Sequence, residues 1–87
     1  MTDYKFISNL MDSKLAAVLK LFLTKPEHQF YLNEISMQSR VPVATTYRLV
    51  NKLVKMNMLK MTRVAKFKIY TLNETKNTQF LRGLIAS

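Results

Sequence analysis

The chain of 87 residues has no cysteine, no tryptophan, one glycine, two prolines and a single histidine. Without thiols there are no disulfides, no thiolate chemistry and none of the usual zinc sites, which excludes a disulfide-stapled secreted scaffold. So little glycine and proline disfavours an all-β fold with many tight turns, and helices are expected to dominate. Acids are scarce too, with Asp3, Asp12, Glu27, Glu34 and Glu74 scattered singly. No Gly-rich phosphate loop or nucleophile motif accompanies them, so the expectation is a protein that is not an enzyme and carries no metal, other cofactor or small-molecule ligand. His28 stands beside Glu27 in an expected loop without other soft ligands and is read as a surface residue. No apolar run is long enough to span a bilayer, and Met1 to Asp12 carries Asp3, Lys5 and Asp12 without the apolar stretch of a signal peptide. A soluble, cytoplasmic protein is expected.

What is present is a core and a charge. Hydrophobic residues make up 48% of the chain, with four Tyr and five Phe, enough for one small folded domain. Fourteen Lys and Arg against five acids give a formal charge of +9, which favours a polyanionic partner, either nucleic acid or an anionic membrane surface.

Along the chain, Leu15, Val18, Leu19 and Phe22 recur at helical spacing, so Asp12 to Leu23 is a first helix with Asp12 or Ser13 as its cap. Pro26 breaks the chain, and Gln29 to Tyr31 suits a short strand. Leu32 to Gln38 forms a second helix with Leu32 and Ile35 inward, and Ser39 to Pro42 a turn. A third helix is expected from Pro42, in its first turn, to Met56. It buries Thr46, Leu49, Val50 and Leu53, while Arg48, Asn51, Lys52 and Lys55 lie outside that stripe. Asn57 falls where a left-handed cap is wanted. The period then changes: Leu59 to Val64 and Phe67 to Leu72 read as a hairpin turning near Val64 to Lys66, with Phe67 and Ile69 on one face and Tyr70 and Leu72 largely on the other. Met56, Met58 and Met61 are read as core filler around it. Glu74 to Ala86 is a last helix placing Phe80, Leu81, Leu84 and Ile85 on one stripe.

From Ile35 to Asn73 there is no acidic residue, while Arg40, Arg48, Lys52, Lys55, Lys60, Arg63, Lys66 and Lys68 all fall there. A one-signed block of this kind favours contact with nucleic acid over a merely solvated helix face. The third helix is long enough to enter a DNA major groove. Val43 and Thr45 are candidates to touch thymine methyls or base edges, Tyr47 a phosphate or base, and Arg48 a guanine or a phosphate. Asn51, Lys52 and Lys55 are placed on the backbone, and Arg40, Arg63, Lys66 and Lys68 complete the basic surface, with Arg63 and Lys66 near a minor groove or its phosphates. Tyr47 has an equal claim to the edge of the core, and the hairpin cations also serve to discourage edge pairing.

The order of short helix, turn, longer cationic helix and basic hairpin over Tyr31 to Leu72 resembles the winged helix-turn-helix of MarR, ArsR and IclR regulators. Leu32-Asn33-Glu34-Ile35 resembles the start of a positioning helix, Val41 to Val50 a recognition helix, and Lys60 to Leu72 a wing. The short stand-alone format resembles archaeal and viral regulators. Two positions depart from the pattern: Arg40 and Asn57 stand where these regulators often have glycine. The resemblance implies a mainly α fold with a small β-hairpin (α+β), built as a three-helix core plus wing and a C-terminal helix. Its parts would be an N-terminal arm (1–11), a winged helix-turn-helix domain (12–73) and a C-terminal helix (74–87). It implies a sequence-specific regulator bound to double-stranded DNA as a homodimer. Phe6 and Leu10 of the arm, beside Tyr4, Ile7 and Met11, would join Phe80, Leu81, Leu84 and Ile85 in the dimer contact, the alternative being packing within one monomer. Two other readings stay open: a winged helix used as a protein-interaction module, and a weakly selective architectural DNA binder. Membrane-surface binding through the last helix is poor, because that helix has only Lys76 and Arg82 as cations.

Overall fold

The computed structural model of the chain describes residues 13–86, and the side chains of residues 13–84. The elements run α1 (Ser13–Thr24), β1 (Phe30–Tyr31), α2 (Leu32–Ser39), α3 (Val43–Lys55), β2 (Leu59–Val64), β3 (Phe67–Leu72) and α4 (Lys76–Ala86). The three strands form one antiparallel sheet in the order β1-β3-β2. The architecture is the expected winged helix: a three-helix core, a hairpin wing and a C-terminal helix.

Helix α1 supplies the centre of the core because Leu15, Val18, Leu19, Phe22 and Leu23 share one stripe and are all buried. The Phe22 ring is fully buried and meets Phe30 of β1 edge-on at 4.9 Å, a favoured geometry for aromatic pairs. Around it close Ile35 of α2, Val50 and Leu53 of α3, Met58, Leu59, Tyr70 and Leu72 at the root of the hairpin, and Leu81 of α4. The expected cap at Asp12 lies outside the described residues. At the other end, the Thr24 hydroxyl donates to the Lys20 carbonyl at 2.9 Å, just before Pro26 ends the helical path.

Both helix-turn-helix corners are closed by left-handed residues. At the end of α2, Arg40 has φ 59° and ψ 40°. Its N–H donates to the Met37 carbonyl, and that of Val41 to Ser36. At the end of α3, Asn57 has φ 61°, with its N–H on Val54 and that of Met58 on Leu53. These paired bonds are Schellman motifs, which satisfy the last carbonyls of each helix. Asn accepts the conformation easily, whereas a long L-side chain at Arg40 is strained by about 1–2 kcal/mol. Arg40→Gly should therefore stabilise the fold by about 0.5–1 kcal/mol once the extra freedom of glycine in the unfolded chain is subtracted. A thermal midpoint raised by about 3–5 °C is expected, and a lowered midpoint would contradict the strain.

Some boundaries differ from expectation for local reasons. Pro42 is the N-cap of α3, with ψ 146°, and not part of its first turn. The Thr46 hydroxyl, fully buried, donates to the carbonyls of Val41 at 3.2 Å and Pro42 at 3.0 Å, tying the turn to the helix. Helix α4 begins at Lys76 rather than Glu74 because Thr75 and Thr78 cap each other: the Thr78 N–H donates to the Thr75 hydroxyl at 3.1 Å, and the Thr75 N–H to that of Thr78 at 2.8 Å. Leu49 is only half-buried against the core. Of the three methionines read as core filler, Met58 is buried but Met56 and Met61 are exposed.

Candidate nucleic-acid interface

The apolar stripe of α3 packs inward through Thr46, Val50 and Leu53, so helical spacing turns Val43, Ala44, Tyr47, Arg48, Lys52 and Lys55 to solvent. Thr45 and Asn51 flank this face half-buried. The first turn of α3 has no acidic residue and Pro42 offers no side-chain cap, so the positive end of the helix dipole is left uncompensated at this surface. The Arg48 guanidinium has a long contact of 3.5 Å to the Thr45 hydroxyl, one helical turn back. Arg40 is exposed in the preceding corner.

The hairpin register sets the second half of the surface. Leu59 pairs with Leu72, Met61 with Tyr70, Arg63 with Lys68 and Val64 with Phe67. The root pair is buried, whereas every residue from 60 to 67 is exposed. The turn at Ala65-Lys66 has a positive φ, 55°, at Ala65 alone, the sign pattern of a type II′ turn. Tyr70 and Leu72 belong to the core cluster with Phe30. Ile69 is buried outside that cluster, and Phe67, on the same face of the strand, is exposed. Arg63 and Lys68 stand directly opposite each other, a like-charge pair that destabilises a bare ladder and is relieved by a polyanion. The Lys68 ammonium lies 5.5 Å from the centroid of the Tyr47 ring, which links the wing to α3 through a cation–π contact.

Between wing and α3 lies an open groove lined by Tyr31, Asn33, Tyr47, Lys66, Phe67 and Lys68. Tyr31 and Phe67 were missed by sequence reasoning: each is about half exposed, and their rings meet edge-on at 5.9 Å. Burial pushes the Tyr70 phenol above its ordinary pKa, with the neighbouring Tyr47 adding to the effect, so Tyr70 stays a neutral floor to the groove. Two acids among the described residues have partners, and one of them, Glu34, lies beside Tyr31 and Phe67 at the edge of this surface. Glu34 accepts the Tyr31 N–H at 3.0 Å, capping α2, with His28 Nε2 at 3.6 Å. Glu74 pairs with Arg82 at 2.9 Å. His28 is exposed as expected, its ring stacked 4.2 Å from Phe30. No metal-holding cluster occurs among the described residues, and no described helix is long and apolar enough to cross a membrane.

The stripe on α4 divides. Phe80 and Leu84 are exposed at 66% and 59%, but Leu81 turns into the core of its own chain at 7% and is corrected from a dimer contact to a core residue. Phe6, Leu10 and the Ile85 side chain lie outside the described residues.

The chain is similar in structure to AF1382 from Archaeoglobus fulgidus, with a TM-score of 0.72 and 18% identity over 92% of this chain and 88% of that one. It is similar to reduced HlyU from Vibrio cholerae, with a TM-score of 0.72 and 12% identity over 92% and 80%. It also resembles the homodimeric winged helix-turn-helix DNA-binding domain of Mb0332 from Mycobacterium bovis, a possible ArsR-family transcriptional regulator, with a TM-score of 0.68 and 13% identity over 88% and 68%. No protein-family model matches the chain, and no curated protein matches it. At these identities the likeness establishes the winged-helix fold.

Proposed function

We propose that the protein is a sequence-specific regulator of transcription that binds double-stranded DNA, with α3 in the major groove and the wing over the adjacent minor groove or its phosphates. The observation that carries this reading is a cationic surface made jointly by α3 and the hairpin. Arg48, Lys52 and Lys55 are exposed on the helix, Lys60, Arg63 and Lys66 on the wing, and Lys68 joins the two over Tyr47. Such a surface suits the phosphates on either side of a groove by its charge, and phosphate attraction supplies a large share of the affinity in complexes of this kind. Val43, Thr45, Tyr47 and Arg48 stand at the N-terminal half of α3, which in helix-turn-helix docking meets the base edges. Asn51, Lys52 and Lys55 are assigned to the DNA backbone in this reading, and Arg40 to the same basic surface.

A homodimer fits the exposed Phe80 and Leu84 of α4, and a solved relative of the fold is homodimeric. Two copies related by a twofold axis would present two α3 helices to half-sites about one DNA turn apart.

Amide chemical shifts recorded while duplex DNA is added to the labelled protein test the placement. Perturbations are expected in residues 43–52 and 60–68, with those of α4 unaffected beyond dimer-wide broadening. Perturbations confined to α4 would remove α3 and the wing from the interface.

A further inference from the structure

Cations account for only part of the wing. Its tip is also apolar: Val64 is 51% exposed and Phe67 53% exposed. The two are cross-strand partners on either side of the Ala65-Lys66 turn, so their side chains share one face of the hairpin. Exposed Arg63 and Lys66 adjoin them in sequence. The Lys66 ammonium lies 5.9 Å from the Phe67 ring centroid, and the Tyr31 ring braces Phe67 edge-on at the same distance. Tyr31 is itself fixed where β1 passes into α2, its N–H held by Glu34. Phe67 is therefore a half-exposed ring propped against Tyr31, beside Asn33 and Glu34 of α2, at the end of a hairpin whose root is anchored in the core. Outward apolar groups at a hairpin tip gain nothing from water, and the cations beside them select an anionic surface.

We propose that the wing tip acts as a wedge: Phe67, with Val64 beside it, enters the DNA minor groove, opens a base step and bends the duplex toward the major groove. This rests on the DNA-binding reading above and adds a deformation to it. The dimensions require one. A B-form minor groove is about 6 Å wide, while two paired strand backbones alone are about 5 Å apart, so a tip carrying Val64 and Phe67 enters only as the groove widens. Widening by an apolar wedge accompanies partial unstacking and a kink, and Arg63 and Lys66 are then placed to hold the phosphates of the two groove walls. The energy of deformation depends on the step deformed, with pyrimidine–purine steps yielding most easily, so the wedge adds preference at a position that receives no hydrogen bond.

The test uses a duplex selected by the protein from a random pool, labelled with a fluorophore pair at its ends and, in a parallel set, with 2-aminopurine at successive steps. Anisotropy of the same duplex reports binding independently. The wild-type protein should shorten the end-to-end distance and raise 2-aminopurine emission several-fold at one step in each half-site. Phe67→Ser should abolish both signals while weakening binding by less than about tenfold, and Phe67→Leu, which keeps apolar bulk, should restore them. Phe67 is exposed, so neither change threatens the core. A bound but straight and fully stacked duplex would overturn the wedge and leave DNA binding intact. An unchanged bend with Phe67→Ser would overturn it as well. Absence of any anisotropy change would sink the DNA reading together with the wedge, and Phe67-dependent sedimentation with anionic vesicles in that case would assign the tip to a lipid surface.

Discussion

Affinity for duplex DNA should fall about 1000-fold as monovalent salt rises from about 50 to 200 mM, because six phosphate contacts give a slope of log K on log salt near −5. Six of the eight cations between Ile35 and Asn73 would supply the contacts. Arg48, Lys52 and Lys55 lie along one side of α3, and Lys60, Arg63 and Lys66 on the free part of the wing, all exposed. Counting six leaves Arg40 in its corner and Lys68, already shared with Tyr47, as reserves. The opposed Arg63 and Lys68 add to the dependence, since bound phosphate relieves a mutual repulsion that is otherwise screened only by salt. Binding measured by anisotropy at several salt concentrations gives the slope directly. A slope shallower than about −2 would mean that fewer than three phosphates are neutralised, which is too few for α3 and the wing to act together.

Arg48→Ala should weaken binding to a selected duplex by about 10–100-fold and reduce discrimination against unrelated duplexes by a similar factor, the cost of losing one bidentate base contact being about 1–3 kcal/mol. The side chain is exposed on α3, and among the described residues it makes a long contact of 3.5 Å to the Thr45 hydroxyl. No ion pair to another described residue has to break for it to fork onto a guanine. Lys52→Ala, one turn further along the same face, provides the contrast. It should weaken both duplexes about equally and lower the salt slope by about 1, as loss of a phosphate contact does. Equal weakening of both duplexes by Arg48→Ala would reassign Arg48 to the backbone.

The parts of the fold that were legible in the sequence are those with a sustained period. The stripe from Leu15 to Phe22, the inward Thr46, Val50 and Leu53, and the change to alternation at Leu59 each mark an element without help from the rest of the chain. Helix ends were less legible, because the cap belongs to short polar side chains whose partners are known only once the backbone is placed. Thr75 and Thr78 delay α4 by two residues through such bonds, and Pro42 caps α3 instead of entering it. Left-handed residues announce themselves when they are Gly or Asn, so Asn57 was readable, but Ala65 carries no such mark. The strand expected at Gln29 to Tyr31 is there as Phe30–Tyr31, but its two residues have no period from which to read a partner; that is given by its ladder with Tyr70 and Ile69. That ladder is what brings Tyr31 beside Phe67, residues distant in sequence, and makes the aromatic wall of the groove. Helical spacing alone also could not separate Leu81 from Phe80 and Leu84, since a helix lying against α1 buries only the innermost of a group of adjacent apolar positions.

Titration of the purified protein against two duplexes of equal length, one selected from a random pool and one unrelated, at about 150 mM salt, bears most directly on the proposed role as a sequence-specific DNA-binding regulator. A preference of about 1000-fold or more for the selected duplex is the expected result. Equal affinity for the two would make the protein a weakly selective architectural binder, and failure to bind either one even at low salt would contradict DNA binding altogether and leave the winged helix as a protein-interaction module.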